Sequence, residues 1–233
     1  MDRRSSSLTL LVAASLVGAC GGGEPQEEEQ PQAAAPAVEA SSPLLAPDSL
    51  IETAPDMYRV LFETSVGTIV VQVNRAWAPN GADRFYNLVK NGYYDDTRFY
   101  RVVEGFMAQF GLKGVPAVDQ AWRDAKFPDD PFTQSNKRGT ITFAHAGTDT
   151  RTTQVFFNFK DNTHLDESGF TPFGEVVEGL DVMDEIYSGY GELPPAGNGP
   201  DYAKAWVQGN TYLDQEFPEM TKVLSAKLEE AGA

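Results

Sequence analysis

The stretch that decides the fold covers residues 97–111 and reads Thr97-Arg98-Phe99-Tyr100-Arg101-Val102-Val103-Glu104-Gly105-Phe106-Met107-Ala108-Gln109-Phe110-Gly111. From Thr97 to Val103, β-branched, aromatic and charged residues roughly alternate, and a second apolar run follows Gly105. This pattern predicts two strands joined by a bend at Glu104 and Gly105. One face of the bend would then carry the guanidinium of Arg101 beside aromatic and thioether side chains.

The same residues resemble the central signature of a known family. The string from Phe99 to Gln109 is similar to the Phe-His-Arg-Val-Ile-x-Gly-Phe-Met-x-Gln string of the cyclophilins, the barrel-shaped peptidyl-prolyl cis-trans isomerases. Tyr100 takes the position of the usual His, and Phe110 that of a usual Gly. The resemblance covers residues 58–187. It implies a mainly-β fold, a closed eight-stranded antiparallel barrel capped by two α-helices.

The resemblance also implies a chemistry that needs no cofactor. Rotation about an Xaa-Pro bond is slow because amide resonance must be broken, at a barrier of about 18–20 kcal/mol. A catalyst must hold the proline ring and favour the twisted bond, and the always-protonated guanidinium of Arg101 suits that task. By their places in the family string, Arg101 and Gln109 are the predicted catalytic residues.

Seven further positions match substrate-binding residues of the family. Five match positions of the proline pocket, namely Phe106, Met107, Phe156, Leu165 and Phe170, and two would bind elsewhere on the substrate, namely His145 and Gln154. Phe170 replaces a frequent His, and His164 stands where many eukaryotic members have Trp, so cyclosporin sensitivity stays open. Taken without the resemblance, Arg101 would more often be a solvated or salt-bridged surface residue, and Phe106, Met107 and Phe156 would more often be plain core.

Residue patterns predict the other elements of the domain. Alternation predicts a hairpin at 58–64 and 66–73 and later strands at 139–147, 154–159 and 173–177. Helix signals, including a first Pro and apolar residues at helical spacing, predict helices at 79–92 and 179–187. Residues 112–137 are predicted to form a long ordered loop.

The C-terminal part is predicted as an extension that starts at about residue 188. Residues 189–200 are rich in Gly and Pro and predict a loop, and residues 205–208 predict a closing strand. A helical stripe is predicted to pack against the barrel, carried by Phe217, Met220, Leu224 and Leu228.

The first 55 residues are predicted to lie outside the domain at residues 56–233. A basic start and a short apolar run predict a signal peptide at residues 1–19. Residues 17–20 resemble the lipobox of bacterial lipoproteins, which implies a lipid on Cys20, the only cysteine. An ordinary cleaved signal with an incidental Cys is the alternative. Residues 20–55 are poor in large apolar residues and predict a disordered acidic, Pro-rich tether.

Composition excludes several classes of partner. The formal net charge of −16 repels phosphate backbones and anionic headgroups, so nucleic-acid binding is not expected, and membrane attachment would need the lipid. The only histidines, His145 and His164, lack the paired spacing of a zinc site, so no metal is predicted. The apolar run at residues 8–17 is too short to span a bilayer, and no second long apolar run appears, so no transmembrane helix is predicted.

These observations lead to one functional hypothesis and two rivals. We expect a peptidyl-prolyl cis-trans isomerase, exported and lipid-anchored to the cell envelope, on the periplasmic side of an outer membrane if the host has two membranes. Its partners would be proline-containing segments of unfolded or newly exported proteins, and a monomer is expected. One rival is a holdase that grips such segments without physiological turnover. The other is a structural lipoprotein of the envelope.

Overall fold

The computed structural model describes residues 42–229. The predicted signal segment and Cys20 lie outside these residues. Between residues 42 and 229, no helix combines the length and the apolar character that crossing a membrane requires.

The fold is built on one antiparallel sheet of nine strands, in the order β3-β9-β1-β2-β8-β6-β7-β5-β4. The strands are β1 Met57–Thr64, β2 Gly67–Asn74, β3 Thr97–Arg98, β4 Arg101–Val103, β5 Met107–Phe110, β6 Thr140–Phe143, β7 Val155–Asn158, β8 Pro172–Glu178 and β9 Lys222–Leu228. The alternation at 58–73 therefore predicts the β1–β2 hairpin correctly, with Tyr58 opposite Val73.

The predicted closed eight-stranded barrel is wrong, because the sheet is a curled half-barrel. Its two edges, β3 and β4, are neighbours in the chain, yet β3 pairs with β9 whereas β4 pairs with β5. The chain crosses from one edge to the other at Phe99 and Tyr100, whose rings turn into the interior. The run at 97–103 predicted as one strand is thus split by the burial of two aromatic rings.

The concave face of the sheet encloses an aromatic core. Phe110 lies at its centre, with ring centroids 4.7 Å from Phe99, 5.5 Å from Phe157 and 5.8 Å from Phe62. These rings are almost completely buried. Burying a large aromatic side chain contributes about 2–3 kcal/mol, so this cluster is the main source of stability beneath β4, β5 and β7.

Three helices cover the sheet or its loops: α1 Pro79–Lys90, α2 Pro116–Trp122 and α3 Leu180–Asp184. The predicted helices at 79–92 and 179–187 correspond to α1 and to the shorter α3. The prediction of a loop without a helix at residues 112–137 is wrong. Helix α2 forms there because Pro116 starts it and the buried residues Val118, Asp119 and Trp122 hold it against the core.

The last elements differ from the sequence prediction. Residues 205–208 belong to helix α4, Tyr202–Glu216, which is kinked at Gly209, and do not form a strand. The predicted helical stripe of Phe217, Met220, Leu224 and Leu228 is also wrong, since β9 occupies 222–228. Val223 and Ala226 face the core and Leu224 is exposed. Pairing with β1 satisfies backbone groups that would otherwise form an open edge, and it outweighs the helical spacing.

Part of the predicted tether packs on the domain. Residues 43–45 and 47–49 form short 3₁₀ turns, and Leu44 and Ala54 are buried. The indole N–H of Trp122 donates to the Leu44 carbonyl at 2.8 Å, and Glu52 N–H donates to the side chain of Asn87 at 3.0 Å. These bonds fasten residues 44–54 to α1 and α2, so this part of the tether is ordered.

Candidate functional site

Strand register places three predicted site residues in one row across the sheet. Arg101 of β4 lies opposite Gln109 of β5, and Gln109 lies opposite Phe156 of β7. Residues opposite one another in an antiparallel sheet point to the same face, so the guanidinium, amide and ring lie side by side. Nη1 of Arg101 donates to Oε1 of Gln109 at 3.0 Å.

A second set of hydrogen bonds fixes the amide of Gln109. Its Nε2 donates to the Tyr100 hydroxyl at 2.7 Å and to Oε1 of Gln154 at 3.2 Å. The Tyr100 hydroxyl in turn donates to Oε1 of Gln154. Burial raises the pKa of Tyr100, so this hydroxyl stays protonated and keeps its donor. The amide oxygen of Gln109 is therefore held facing Arg101.

Aromatic rings form an apolar region beside this row. The Phe156 ring meets Phe170 edge to face at 5.8 Å, and Phe170 stacks on His145 at 3.9 Å. Burial lowers the pKa of His145, which favours a neutral ring. Phe106 stacks on His164 at a centroid distance of 5.9 Å. Flat, mostly apolar surfaces of this kind suit a pyrrolidine ring.

A cavity of about 780 Å³ opens beside the polar row and has two walls. The first, which we name the sheet wall, comprises Arg101, Gln109, Gln154 and the adjoining loop residue His145. The second, which we name the C-terminal wall, is formed by the segment after residue 188. It comprises the lining residues Leu193, Pro194, Tyr202 and Trp206, together with Glu192, which lies outside the lining and is bonded to Arg101.

The C-terminal wall contacts the sheet wall through two polar side chains. Glu192 accepts from Arg101 at both carboxylate oxygens, from Nε at 2.5 Å and from Nη2 at 2.6 Å. Arg101 thereby holds the pKa of Glu192 below its usual range. Nε2 of Gln154 donates to the Tyr202 hydroxyl at 2.6 Å. The site is thus a composite of two distant parts of the chain.

The predicted site residues fall into two groups. Arg101, Gln109, His145 and Gln154 line the cavity. The other five lie outside its lining. Met107 and Phe156 are almost fully buried. Phe106, Phe170 and Leu165 are partly exposed, and Leu165 lies on the 3₁₀ helix Thr163–Ser168. The sequence alone did not identify Glu192 and Tyr202 as residues of the site, nor the hydrogen bonds that the Tyr100 hydroxyl makes there. Only Tyr100 carries a signal, because it departs from the family string.

Comparison with protein families gives a match that covers more than half of this chain. A family described as cyclophilin type peptidyl-prolyl cis-trans isomerase matches residues 59–198. That range includes every predicted catalytic and substrate-binding residue, and it ends before helix α4 and strand β9.

Individual proteins show the same similarity. A peptidyl-prolyl cis-trans isomerase from Helicobacter pylori is 36% identical over 129 residues, which cover 54% of this chain and 78% of that protein. A peptidyl-prolyl cis-trans isomerase-like 2 protein from Gibberella zeae is 31% identical over 165 residues, 69% of this chain. This chain spans only 27% of that fungal protein's length.

A solved structure supports the fold. The crystal structure of a cyclophilin type peptidyl-prolyl cis-trans isomerase from Cryptosporidium parvum superposes with a TM-score of 0.55. The superposition covers 76% of this chain and 99% of that one, at 17% sequence identity. At this identity the match concerns the curled sheet and its helices alone.

Proposed function

This chain belongs to the cyclophilin-type peptidyl-prolyl cis-trans isomerase family, and we propose that it accelerates Xaa-Pro isomerisation at the cavity beside Arg101. Its substrates are exposed Xaa-Pro bonds in unfolded or newly exported polypeptides. The catalytic residues are Arg101 and Gln109. The substrate-binding residues are Phe106, Met107, His145, Gln154, Phe156, Leu165 and Phe170.

Arg101 acts on the bond that rotates. As the Xaa-Pro bond twists, the prolyl nitrogen loses its resonance with the carbonyl and regains a lone pair. A guanidinium N–H directed at that nitrogen stabilises the twisted state more than either planar state, which is the requirement for catalysis. Gln109 accepts from Nη1 and is itself held by Tyr100 and Gln154, so the guanidinium is oriented before substrate arrives.

The apolar residues hold the proline while the preceding carbonyl swings. Phe106, Phe156 and Phe170 present ring faces and edges beside the polar row, and such surfaces bind the pyrrolidine without consuming a hydrogen bond. A ~10⁵-fold acceleration corresponds to about 7 kcal/mol of transition-state stabilisation. An oriented charged donor supplies about 3–4 kcal/mol of this, and binding in a fixed geometry supplies the rest.

The observation that carries this proposal is the hydrogen bond between Arg101 and Gln109, which both line the cavity. The test is the rate of cis-trans isomerisation of a short Xaa-Pro peptide by the purified chain. Arg101→Ala should lower kcat/KM by about 10²–10³-fold. The matched control is Arg138→Ala, which also breaks a bidentate ion pair, with Asp184, but lies outside the cavity lining. Equal activities of the two variants would contradict the proposal.

The rival function is a holdase that binds proline-containing segments in the same cavity without physiological turnover. It is favoured by the large open cavity, which could accept several residues of an extended chain. Suppression of client aggregation separates the two functions. An isomerase site needs Arg101 for turnover, whereas a holdase would suppress aggregation equally well after Arg101→Ala.

We also propose that the domain is exported as a bacterial lipoprotein monomer, anchored to the cell envelope through a lipid on Cys20. The support is the apolar run before Val17-Gly18-Ala19-Cys20, with its lipobox-like end. Mass spectrometry of the protein from its host should find a cleaved, acylated Cys20. A Cys20→Ser variant that still fractionates with membranes would contradict the anchor.

A further inference from the structure

The contact between Glu192 and Arg101 is a bidentate ion pair. Two parallel hydrogen bonds, at 2.5 and 2.6 Å, join the carboxylate to Nε and Nη2. The side chains are 31% and 28% exposed, respectively, so the pair is only partly open to solvent. A pair of this kind fixes the plane of a guanidinium, which a single hydrogen bond does not.

Glu192 is held in place by its own loop as well as by Arg101. Leu193 N–H donates to Oε1 of Glu192 at 2.8 Å, and Gly199 N–H donates to its backbone carbonyl at 2.9 Å. The neighbouring side chains of Tyr190 and Leu193 pack against a small apolar cluster that contains Tyr100. The carboxylate is therefore part of a built wall and does not depend on Arg101 alone for its position.

The ion pair leaves Arg101 able to serve a substrate. A guanidinium has five N–H donors. Glu192 takes two and Gln109 takes one, which leaves two, one on each terminal nitrogen. Glu192 thus neutralises the charge of Arg101 but does not occupy all its donors.

The charge of the cavity follows from this arrangement. Besides Arg101, the charged residues in the lining are Arg123 and Asp201, which offset each other. Glu192 lies outside the lining but is paired with Arg101, so the charges of the four groups sum to zero. Without the Glu192 charge, the cavity would carry a net positive charge and would attract acidic peptides.

We propose that Glu192 is a positioning residue for Arg101 and that it sets substrate specificity by disfavouring acidic residues next to the proline. This inference rests on the proposed isomerase function. The carboxylate cancels the positive charge that would otherwise attract a client Asp or Glu side chain, and it keeps the guanidinium plane aligned for neutral and basic clients.

The test compares two peptides that differ only by Glu or Gln immediately before the proline. The ratio of their kcat/KM values, Glu-Pro over Gln-Pro, is measured for the wild type, Glu192→Gln and Glu192→Ala. Glu192→Gln should raise this ratio about three- to tenfold, because it removes a negative charge close to the substrate. Glu192→Ala should raise it similarly, but with a lower kcat than Glu192→Gln, since only the amide can still accept from Arg101.

Glu104→Gln is the matched control, because it removes the same charge from an exposed turn, whereas the ion-pair partner of Arg101 is Glu192. Its ratio should stay within about twofold of the wild type, since an exposed charge is screened by solvent and salt. A wild-type chain that accelerates neither peptide overturns the proposed function. A wild type that turns over both, with the ratio unchanged in Glu192→Gln, overturns this inference and leaves the function intact.

Discussion

The sheet wall is held by strand pairing, whereas the C-terminal wall is held by contacts between segments far apart in the chain. Arg101 and Gln109 are eight residues apart and are fixed by the β4–β5 register. Arg101 and Glu192 are 91 residues apart, and no strand pairing joins their segments within residues 42–229. The geometry of the sheet wall can therefore be inferred from local sequence, whereas the geometry of the C-terminal wall is visible only in the folded chain.

Tyr100 is the residue at which the two walls meet. Its hydroxyl bonds Gln109 and Gln154 of the sheet wall. Its ring packs in the apolar cluster that supports the C-terminal wall, with Leu112, Ala205, Tyr212, Leu213 and Met220. We therefore expect changes in the support of the C-terminal wall to reduce stability, and changes at the polar row to reduce turnover.

The largest effect on stability is expected where the C-terminal segment docks on the loop before α2. Asn210 N–H donates to the Gly114 carbonyl at 2.8 Å, and a Cβ at Gly114 would lie 1.8 Å from Oδ1 of Asn210. Gly114 also has φ +74°, which L-residues rarely adopt. Gly114→Ala should lower the free energy of unfolding by about 3 kcal/mol or more. Urea denaturation of the wild type and of Gly114→Ala measures this difference in the free energy of unfolding.

The control for this prediction is Gly105→Ala in the β4–β5 turn. Gly105 has a similar φ of +64°, but an added Cβ would meet nothing within 4 Å. Backbone strain alone should cost about 1 kcal/mol there. Equal losses in the two variants would mean that Asn210 moves freely and that the C-terminal wall is not docked as described.

A second effect on stability concerns Asp119, which holds the same loop. Its carboxylate accepts from Lys113 N–H at 2.7 Å and from Gly114 N–H at 2.8 Å. Burial nevertheless raises the pKa of Asp119 from 3.8 to about 6. Because the folded state binds this proton more tightly than the unfolded state does, the contribution of Asp119 is full below about pH 4. It is lost as the pH rises through about 6.

Asp119→Asn should remove this pH dependence. Between about pH 4 and pH 7, the wild type should lose on the order of 2–3 kcal/mol of unfolding free energy relative to the variant. Acids with lowered pKa values, such as Asp166 and Asp214, act in the opposite direction in both proteins and cancel in the difference. Urea denaturation at each pH gives the two curves, and parallel curves would refute the assignment.

A smaller effect, on turnover, is expected at the junction of the walls. Tyr100→Phe removes the 2.7 Å partner of Gln109 and leaves only the 3.2 Å bond to Gln154. One net hydrogen bond is worth about 1 kcal/mol, so kcat/KM should fall about fivefold. Tyr202→Phe removes a more exposed bond to Gln154 and should cost only about twofold. A larger loss of kcat/KM in Tyr202→Phe than in Tyr100→Phe would contradict this order. It would mean that the C-terminal wall takes part in catalysis.

Much of the sheet wall could be predicted from the sequence. Alternation reveals the β1–β2 hairpin, and the family string at 99–109 already brings Arg101 and Gln109 together. Both signals are local, since each depends on residues within one hairpin. The same local rules place Val155 and Phe157 on the core face of β7 and Phe156 on the opposite face.

The C-terminal wall could not be predicted, because its residues have no local pattern. Glu192 is one acid in a Gly- and Pro-rich loop, and only the fold brings it to Arg101. The sequence of strand β9 predicts a helix because its apolar residues happen to fall at helical spacing, while its pairing with β1 spans most of the domain. The break between β3 and β4 at Phe99 and Tyr100 could not be predicted either, because it depends on the burial of both rings in the folded chain.

The most direct test of the account is two-dimensional exchange NMR of an Ala-Pro peptide with the isotope-labelled chain. One sample reports both the isomerisation rate and the backbone amides whose shifts the peptide moves. The account predicts accelerated cis-trans exchange, with shifts at Arg101, Gln109 and Gln154 and also at Glu192 and Tyr202. No acceleration, or shifts confined to residues outside both walls, would contradict it.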